Sequence, residues 1–359
     1  MEPRLAKITL RGFKTVRSLI DFEPRDLTIL IGPNGAGKSN FISFFQMLSW
    51  MMTPPGQLQV YVERLGGASK LLHDGPSVTS QIEATLSLAI DTAIREYGFR
   101  LSHAAGDTLL FADEWHRHRP KKKGSVRAIF GSGHRESRLT GRILEMLRRI
   151  IVYQFHNTSQ TARIRNKWSV ADNRGLKEDG GNLASFLLRL QQAQRAYYRR
   201  IEDTIRLLLP FFAAFELYPE FNNVLLRWRE IGSDQVFDVS RASDGMLRAM
   251  ALVALLLQPE DELPTVLILD EPELGLHPHA IEVLAGLIRS ASKHVQVIIA
   301  TQSVSLLDPF EPDDVVVVNR TGRETSFNRL NGAALKDWLE SYTLSELWEK
   351  NVVGGRPSR

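Results

Sequence analysis

Residues Gly32 to Ser39 read Gly-Pro-Asn-Gly-Ala-Gly-Lys-Ser and directly follow the apolar stretch Leu27-Thr28-Ile29-Leu30-Ile31. A strand running into a glycine-rich turn, with a helix opening at the lysine, is the phosphate-cradling P-loop pattern. Each residue type has a task in it. Glycines let backbone N–H groups curl around a triphosphate, and the helix N-terminus adds its positive dipole. Lys38 would reach the β- and γ-phosphates, and the Ser39 hydroxyl would ligate Mg²⁺. Gly32, Pro33, Asn34, Gly35, Ala36, Gly37, Lys38, Ser39 and Asn40 are thus the expected nucleotide contacts, with ATP and Mg²⁺ as cofactors. The alternative is a plain turn between strand and helix. The strand in front and Asn40-Phe41-Ile42-Ser43-Phe44-Phe45 behind meet the motif's structural requirement.

At 359 residues the chain is long enough for one large or two ordinary domains. Hydrophobic residues at 43% and charged residues at 24% are ordinary for a soluble globular protein. With no cysteine, a disulfide framework and a thiolate metal site are excluded. The N-terminus has no apolar signal region, and the longest apolar run, Met250 to Leu257, is too short to cross a bilayer. The expectation is a cytoplasmic protein without a membrane partner. A net charge of +4 permits contact with nucleic acid without arguing for it.

A second nucleotide signal lies far downstream. Val266-Leu267-Ile268-Leu269 reads as a buried strand and ends in Asp270-Glu271-Pro272. Strand ends in open α/β sheets deliver side chains to the edge where ligands bind. Asp270 there could hold Mg²⁺, and Glu271 could polarise an attacking water. A third apolar strand, Val295 to Ala300, ends in Thr301-Gln302-Ser303.

These residues, in this order, resemble ABC-type ATPases of the branch that contains RecF, the SMC proteins and the OLD-like ATPases. Ile8 to Lys14 resembles the family's opening strand and turn. Ser243-Asp244-Gly245-Met246 resembles the signature segment, Asp270-Glu271 Walker B, and Glu273-Leu274-Gly275-Leu276-His277-Pro278 the D-loop. Gln302 falls at the switch histidine. The resemblance covers roughly Met1 to Ile94 and Val236 to Asn319. It implies an α/β P-loop NTPase with a mixed twisted sheet flanked by helices, and a helical insertion, or lid, between P-loop and signature. It also implies a head-to-tail homodimer in which two ATP molecules are sandwiched, Ser243 and Gly245 of one subunit completing the site of the other.

The implied catalytic residues are Lys38, Glu271 and Gln302; the implied Mg²⁺ contacts are Ser39, Asp270 and Gln154. Gln154 could equally be an ordinary strand residue. Two departures stand out: Asp244 where a glycine is usual, and Gln302 where the family has histidine. An amide can bond a γ-phosphate but takes up no proton near neutral pH, so slow hydrolysis is expected. A transporter subunit would share the engine, but Ser39-Asn40-Phe41-Ile42 follows the RecF and SMC form. Pro120, Pro210 and Pro219 interrupt the interval where an SMC protein carries its coiled coil.

Four segments are expected. Residues 1–150 would form the first part of the ATPase lobe with its antiparallel strands, and 151–235 a mainly helical insertion. Residues 236–320 would complete the lobe, and 321–359 would be a helical segment with a mobile tail. Trp115 to Gly124 reads as a solvated basic loop or a phosphate-contacting arm. Arg195 to Arg200, between two apolar stripes at helical spacing, reads as a solvated helix face, with nucleic-acid binding by its interleaved basic and aromatic residues as the alternative; Trp338 and Trp348 read as anchors of the C-terminal segment. His277, His279 and His294 suggest no metal centre. For output, two classes remain open: the dimer grips double-stranded DNA, as RecF-like proteins do in repair, or it switches a separate effector. A toprim-type nuclease in anti-phage defence is the effector the resemblance suggests.

Overall fold

The computed structural model describes residues 3–54, 56–91, 93–119 and 126–354. Lys121 to Lys123 and the tail from Gly355 onward lie outside the described residues. The chain opens with β1 (Arg4–Phe13), β2 (Val16–Phe22), β3 (Leu27–Ile31), α1 (Lys38–Met52) and α2 (Leu58–Arg64). Four strands follow: β4 (Gln81–Ile90), β5 (Ala93–Ala104), β6 (Thr108–Arg119) and β7 (Val126–Ile129). Then come α3 (Arg142–Arg148), β8 (Ile150–Tyr153), β9 (Trp168–Ser169), α4 (Leu183–Ala193) and α5 (Arg195–Leu208). Short strands β10 (Phe212–Phe215), β11 (Asn223–Val224), β12 (Arg227–Glu230) and β13 (Val236–Asp238) lead to α6 (Asp244–Leu256). The chain closes with β14 (Val266–Asp270), α7 (Pro278–Ala291), β15 (Gln296–Thr301), β16 (Val315–Thr321), β17 (Glu324–Arg329), α8 (Gly332–Leu339) and α9 (Leu344–Glu349).

One six-stranded sheet runs β17-β16-β3-β15-β14-β8, parallel except for β17. Every residue of β3, β14 and β15 is buried, which is why these segments read as continuous apolar runs. Their register brings Thr301 opposite Ile31, Asp270 opposite Ala300, and Leu269 opposite Tyr153. The P-loop and the segments after Asp270, Thr301 and Tyr153 therefore leave the sheet at one edge.

The second six-stranded sheet is antiparallel, in the order β2-β1-β4-β5-β6-β7. Strand β4 alternates strictly between buried and half-buried positions, as a strand with one covered face should. Helix α1 lies between the two sheets. Phe41, Phe44, Phe45 and Leu48 recur at helical spacing and are fully buried, and Phe44 meets Phe13 edge-on at 5.8 Å. Each such ring stabilises the packing by about 1.5–3 kcal/mol, which holds the first turn of α1, and with it the P-loop, against both sheets. The opposite face of the parallel sheet is covered by α4, α5, α6 and α7.

Several expectations need correcting. The range 151–235 holds α4 and α5, but also small sheets β10-β12-β13 and β9-β11, and its first residues belong to β8 of the main sheet. The small strands are held by Phe212, Phe215 and Trp228, all buried, which suit a pleated surface. Trp115 to Arg119 is no loop: it ends β6, where Arg117 pairs with Glu96 at 3.1 Å and lies over the Trp115 ring. By contrast, the helix face read at Arg195 to Arg200 is present: it forms the first turns of α5, with Arg195, Arg199 and Arg200 exposed and Tyr198 buried. The range 321–359, expected to be helical, opens with the polar edge strand β17, which pairs with β16 and closes the sheet. The C-terminal segment breaks into α8 and α9 at a Thr343/Glu346 capping box. Trp348 is buried there, whereas Trp338 is 46% exposed and lies against the Tyr342 ring. Among the described residues no helix is long and apolar enough to cross a membrane.

Candidate nucleotide site

The P-loop turns through Gly35 at φ 79° and Gly37 at φ 109°, backbone that residues with a Cβ adopt only under strain. Gly32 and Gly37 carry a second constraint that sequence could not show. A Cβ on Gly32 would lie 2.2 Å from the Val318 carbonyl, and one on Gly37 2.1 Å from the Thr325 hydroxyl. The β16–β17 hairpin is packed directly against the loop. Lys38 is buried at the start of α1, and its ammonium donates to the carbonyls of Gly32 at 2.6 Å and Pro33 at 3.1 Å. Burial pushes its pKa below the ordinary lysine value, against the pull of Glu271, Asp270 and Glu273.

At the neighbouring strand end, the Ser39 hydroxyl donates to Asp270 Oδ1 at 3.4 Å, and Gln154 Nε2 donates to Asp270 Oδ2 at 2.9 Å. Gln46 on α1 donates to Gln154 Oε1 at 2.9 Å, and His156 Nε2 lies 2.7 Å from the Asp270 carbonyl. Gln154 is thus no ordinary strand residue; it follows β8 and turns into the cluster. Burial raises the Asp270 carboxyl above the usual range, opposed chiefly by His156. The Ser39 hydroxyl and the Asp270 carboxylate are hard oxygen donors that fit Mg²⁺, and the Gln154 amide, its oxygen taken by Gln46, supports that carboxylate.

Glu271 follows at φ 43°, a strained conformation for a side-chain-bearing residue, and its N–H donates to the Ala300 carbonyl at 2.7 Å. Glu273 is buried; Thr301 donates to its Oε1, while Oε2 has no side-chain partner among the described residues. Burial raises this carboxyl too. Gln302 leaves the end of β15 exposed. His277 caps α7, while His279 and His294 face Glu282 and Glu260; among the described residues no cluster of three or more His, Cys, Asp or Glu could hold a metal.

Ser243 caps α6, accepting the Met246 N–H at 3.2 Å, and is otherwise exposed. Among the described residues no hydrogen bond joins it to the P-loop of its own chain. Asp244 is held by Arg165, Nη2 to Oδ1 at 3.0 Å. Arg165 is buried and also donates to the carbonyls of Thr158, Val239 and Ala242. Gly245 packs on the D-loop, where a Cβ would lie 2.4 Å from the Gly275 carbonyl. Arg248, one turn on, donates to the carbonyls of Phe155, His156 and Leu274 at 2.9–3.0 Å. The sequence reading missed Arg165, Arg248, His156 and Gln46. Nothing in an arginine's sequence context announces that it will bond carbonyls 74 to 93 positions away.

A family profile described as "AAA domain, putative AbiEii toxin, Type IV TA system" (AAA_21) matches residues 27–308. No curated protein matches the chain. Among solved structures it is similar to an Smc head bound to the C-winged helix domain of ScpA, at 15% identity and a TM-score of 0.58, over 93% of this chain and 99% of that one. It is also similar to an Smc head with an extended coiled coil, bound to the C-terminal domain of ScpA, derived from Pyrococcus furiosus. There the identity is 15% and the TM-score 0.59, over 94% of this chain and 99% of that one. The profile spans well over half of the sequence and the fold is that of SMC heads, so the chain belongs to the AAA_21 family and has an ABC-type ATPase fold of the SMC and RecF-like branch.

Proposed function

We propose that this chain binds Mg²⁺-ATP at the P-loop, closes into a head-to-tail dimer, and uses slow hydrolysis to switch a bound partner. The observation that carries this is the Ser39–Asp270–Gln154 cluster beside Lys38, with Glu271 one residue beyond. Mg²⁺ would screen the phosphate charge. The glycines of the loop, Lys38 and Asn40 would hold the phosphates, Glu271 would orient and deprotonate water, and exposed Gln302 would sense the γ-phosphate. The exposed Ser243 hydroxyl at the start of α6, with no tie to its own P-loop, is suited to the nucleotide of a second subunit. Lys38→Ala should abolish ATP binding and Glu271→Gln should bind but not turn over. An equally fast Glu271→Gln enzyme would remove Glu271 from its role.

A separate effector is the output we favour, in anti-phage defence or a related two-gene system. The family description names a toxin and a type IV TA system, and both SMC heads named above carry a bound domain of ScpA. A toprim-type nuclease is one effector of that kind. The second reading, a RecF-like clamp on double-stranded DNA, rests on the exposed Arg195, Arg199 and Arg200 of α5. Reversing those three to Glu and titrating duplex DNA against salt separates the two. Steeply salt-dependent binding lost in the triple reversal would favour the clamp.

A further inference from the structure

Two residues 310 positions apart meet beneath the P-loop. The Thr325 hydroxyl on β17 lies 2.9 Å from the Ala36 carbonyl and 2.8 Å from the hydroxyl of Thr15, which sits in the turn between β1 and β2. Asn40 Nδ2, on the first turn of α1, donates to that Thr15 hydroxyl at 2.9 Å. A hydroxyl has one proton to give. Only one direction then satisfies every group: Asn40 donates to Thr15, Thr15 to Thr325, and Thr325 to Ala36. The relay joins the start of α1 to the middle of the loop through the two ends of the chain. Thr325 is buried, and its oxygen fills the space where Gly37 has no Cβ. Both threonines lie outside the residues matched by the family profile.

We infer that Thr325 and Thr15 are positioning residues for ATP: the β16–β17 hairpin is a clamp that fixes the P-loop in its phosphate-binding shape. This rests on the ATP-binding reading of the site. The reason is conformational. Ala36 precedes Gly37 and Lys38, so a tether on its carbonyl sets where the N–H groups of the loop point. Without the tether the loop would sample other shapes, and ATP affinity would fall by the fraction of time the competent one is populated.

The test is ATP affinity and steady-state kinetics of Thr325→Val, Thr325→Ser, Thr15→Val and the Thr15→Val/Thr325→Val double variant, with Lys38→Ala as control. Valine keeps the shape and strand preference of threonine but leaves the Ala36 carbonyl without its donor. Its Kd and KM for ATP should rise roughly tenfold, the scale of one unsatisfied buried group, with kcat little changed and serine restoring both. The two Val substitutions should be non-additive, because they break one relay. If Thr325→Val bound ATP like the parent, or the two effects simply added, the clamp would be overturned. If Thr325→Val failed to fold, Thr15→Val alone would decide the matter on the same KM-against-kcat split. Parent protein that bound ATP no better than Lys38→Ala would instead overturn the ATP reading itself, and the clamp with it.

Discussion

Gln154 donates its side-chain amide to Asp270 Oδ2 at 2.9 Å, so the residue after the edge strand β8 closes onto the last residue of β14. Asp270 Oδ1 faces Ser39, so the carboxylate is gripped from both sides. Gln154→Ala should raise the Mg²⁺ concentration required for half-maximal ATPase activity by about tenfold, the usual cost of a lost supporting contact at a metal. Gln46→Ala, which removes the donor to Gln154 Oε1, should act in the same direction and more weakly. An unchanged Mg²⁺ titration in Gln154→Ala would detach this residue from the metal.

Asp270 and Glu273 both have carboxyls raised by burial, which gives stability a defined sign against pH. Between the ordinary carboxylate pKa and the raised one, the folded chain holds more protons than the unfolded chain. Stability from these groups is therefore full below the ordinary pKa and is lost as pH rises through the raised values. Glu273→Gln should flatten that slope and raise the melting temperature near neutral pH. Mg²⁺ needs Asp270 ionised, so Mg²⁺ affinity should fall as the solution is acidified. Melting curves with and without Mg²⁺-ATP across the acid range check both signs.

Arg165 is a buried guanidinium whose donors are spent on Thr158, Val239, Ala242 and Asp244. Arg165→Met would leave the Thr158 and Ala242 carbonyls without donors, Val239 keeping the Ala242 N–H, and should destabilise the fold by about 3 kcal/mol, visible as a lower denaturant midpoint. Asp244→Asn should cost far less, because that carboxylate is largely exposed. Equal losses would mean that the ion pair, and not the carbonyl contacts, holds the signature turn.

Gly245→Ala puts a methyl 2.4 Å from the Gly275 carbonyl, and backbone cannot yield as a side-chain tip can. The signature turn and the D-loop should separate at a cost of roughly 1–3 kcal/mol. ATP binding to the P-loop should survive while ATP-linked dimerisation is lost; calorimetry and scattering on the same sample read both. A Gly245→Ala protein that dimerised normally would make the glycine's close packing irrelevant to assembly.

Much of the fold is legible in the sequence. Leu27–Ile31, Val266–Asp270 and Gln296–Thr301 are buried on both faces, so their composition alone marked central parallel strands, and the polar residues at their ends marked the site. The opposite holds for β17 and the strands after α5. Glu324–Arg329 is polar because it forms a sheet edge, and four-residue strands carry too little alternation to be read. The helix face read at Arg195 to Arg200 holds because Tyr198, Ile201 and Ile205 bury one stripe whatever the charge around them. Within the site, Lys38, Ser39 and Asp270 announced themselves by motif. Thr15, Thr325 and Arg165 did not, because a hydroxyl or guanidinium that bonds distant backbone leaves no local pattern.

The central claim is that ATP brings two of these chains together, with Ser243 and Gly245 of each completing the other's site. Light scattering on Glu271→Gln in saturating Mg²⁺-ATP tests it most directly, since this variant should load nucleotide and stay loaded. Twice the 40.6 kDa chain mass is expected with ATP, and single-chain mass when Lys38→Ala is added to the same variant. A Glu271→Gln protein that binds ATP yet scatters as a single chain would contradict it.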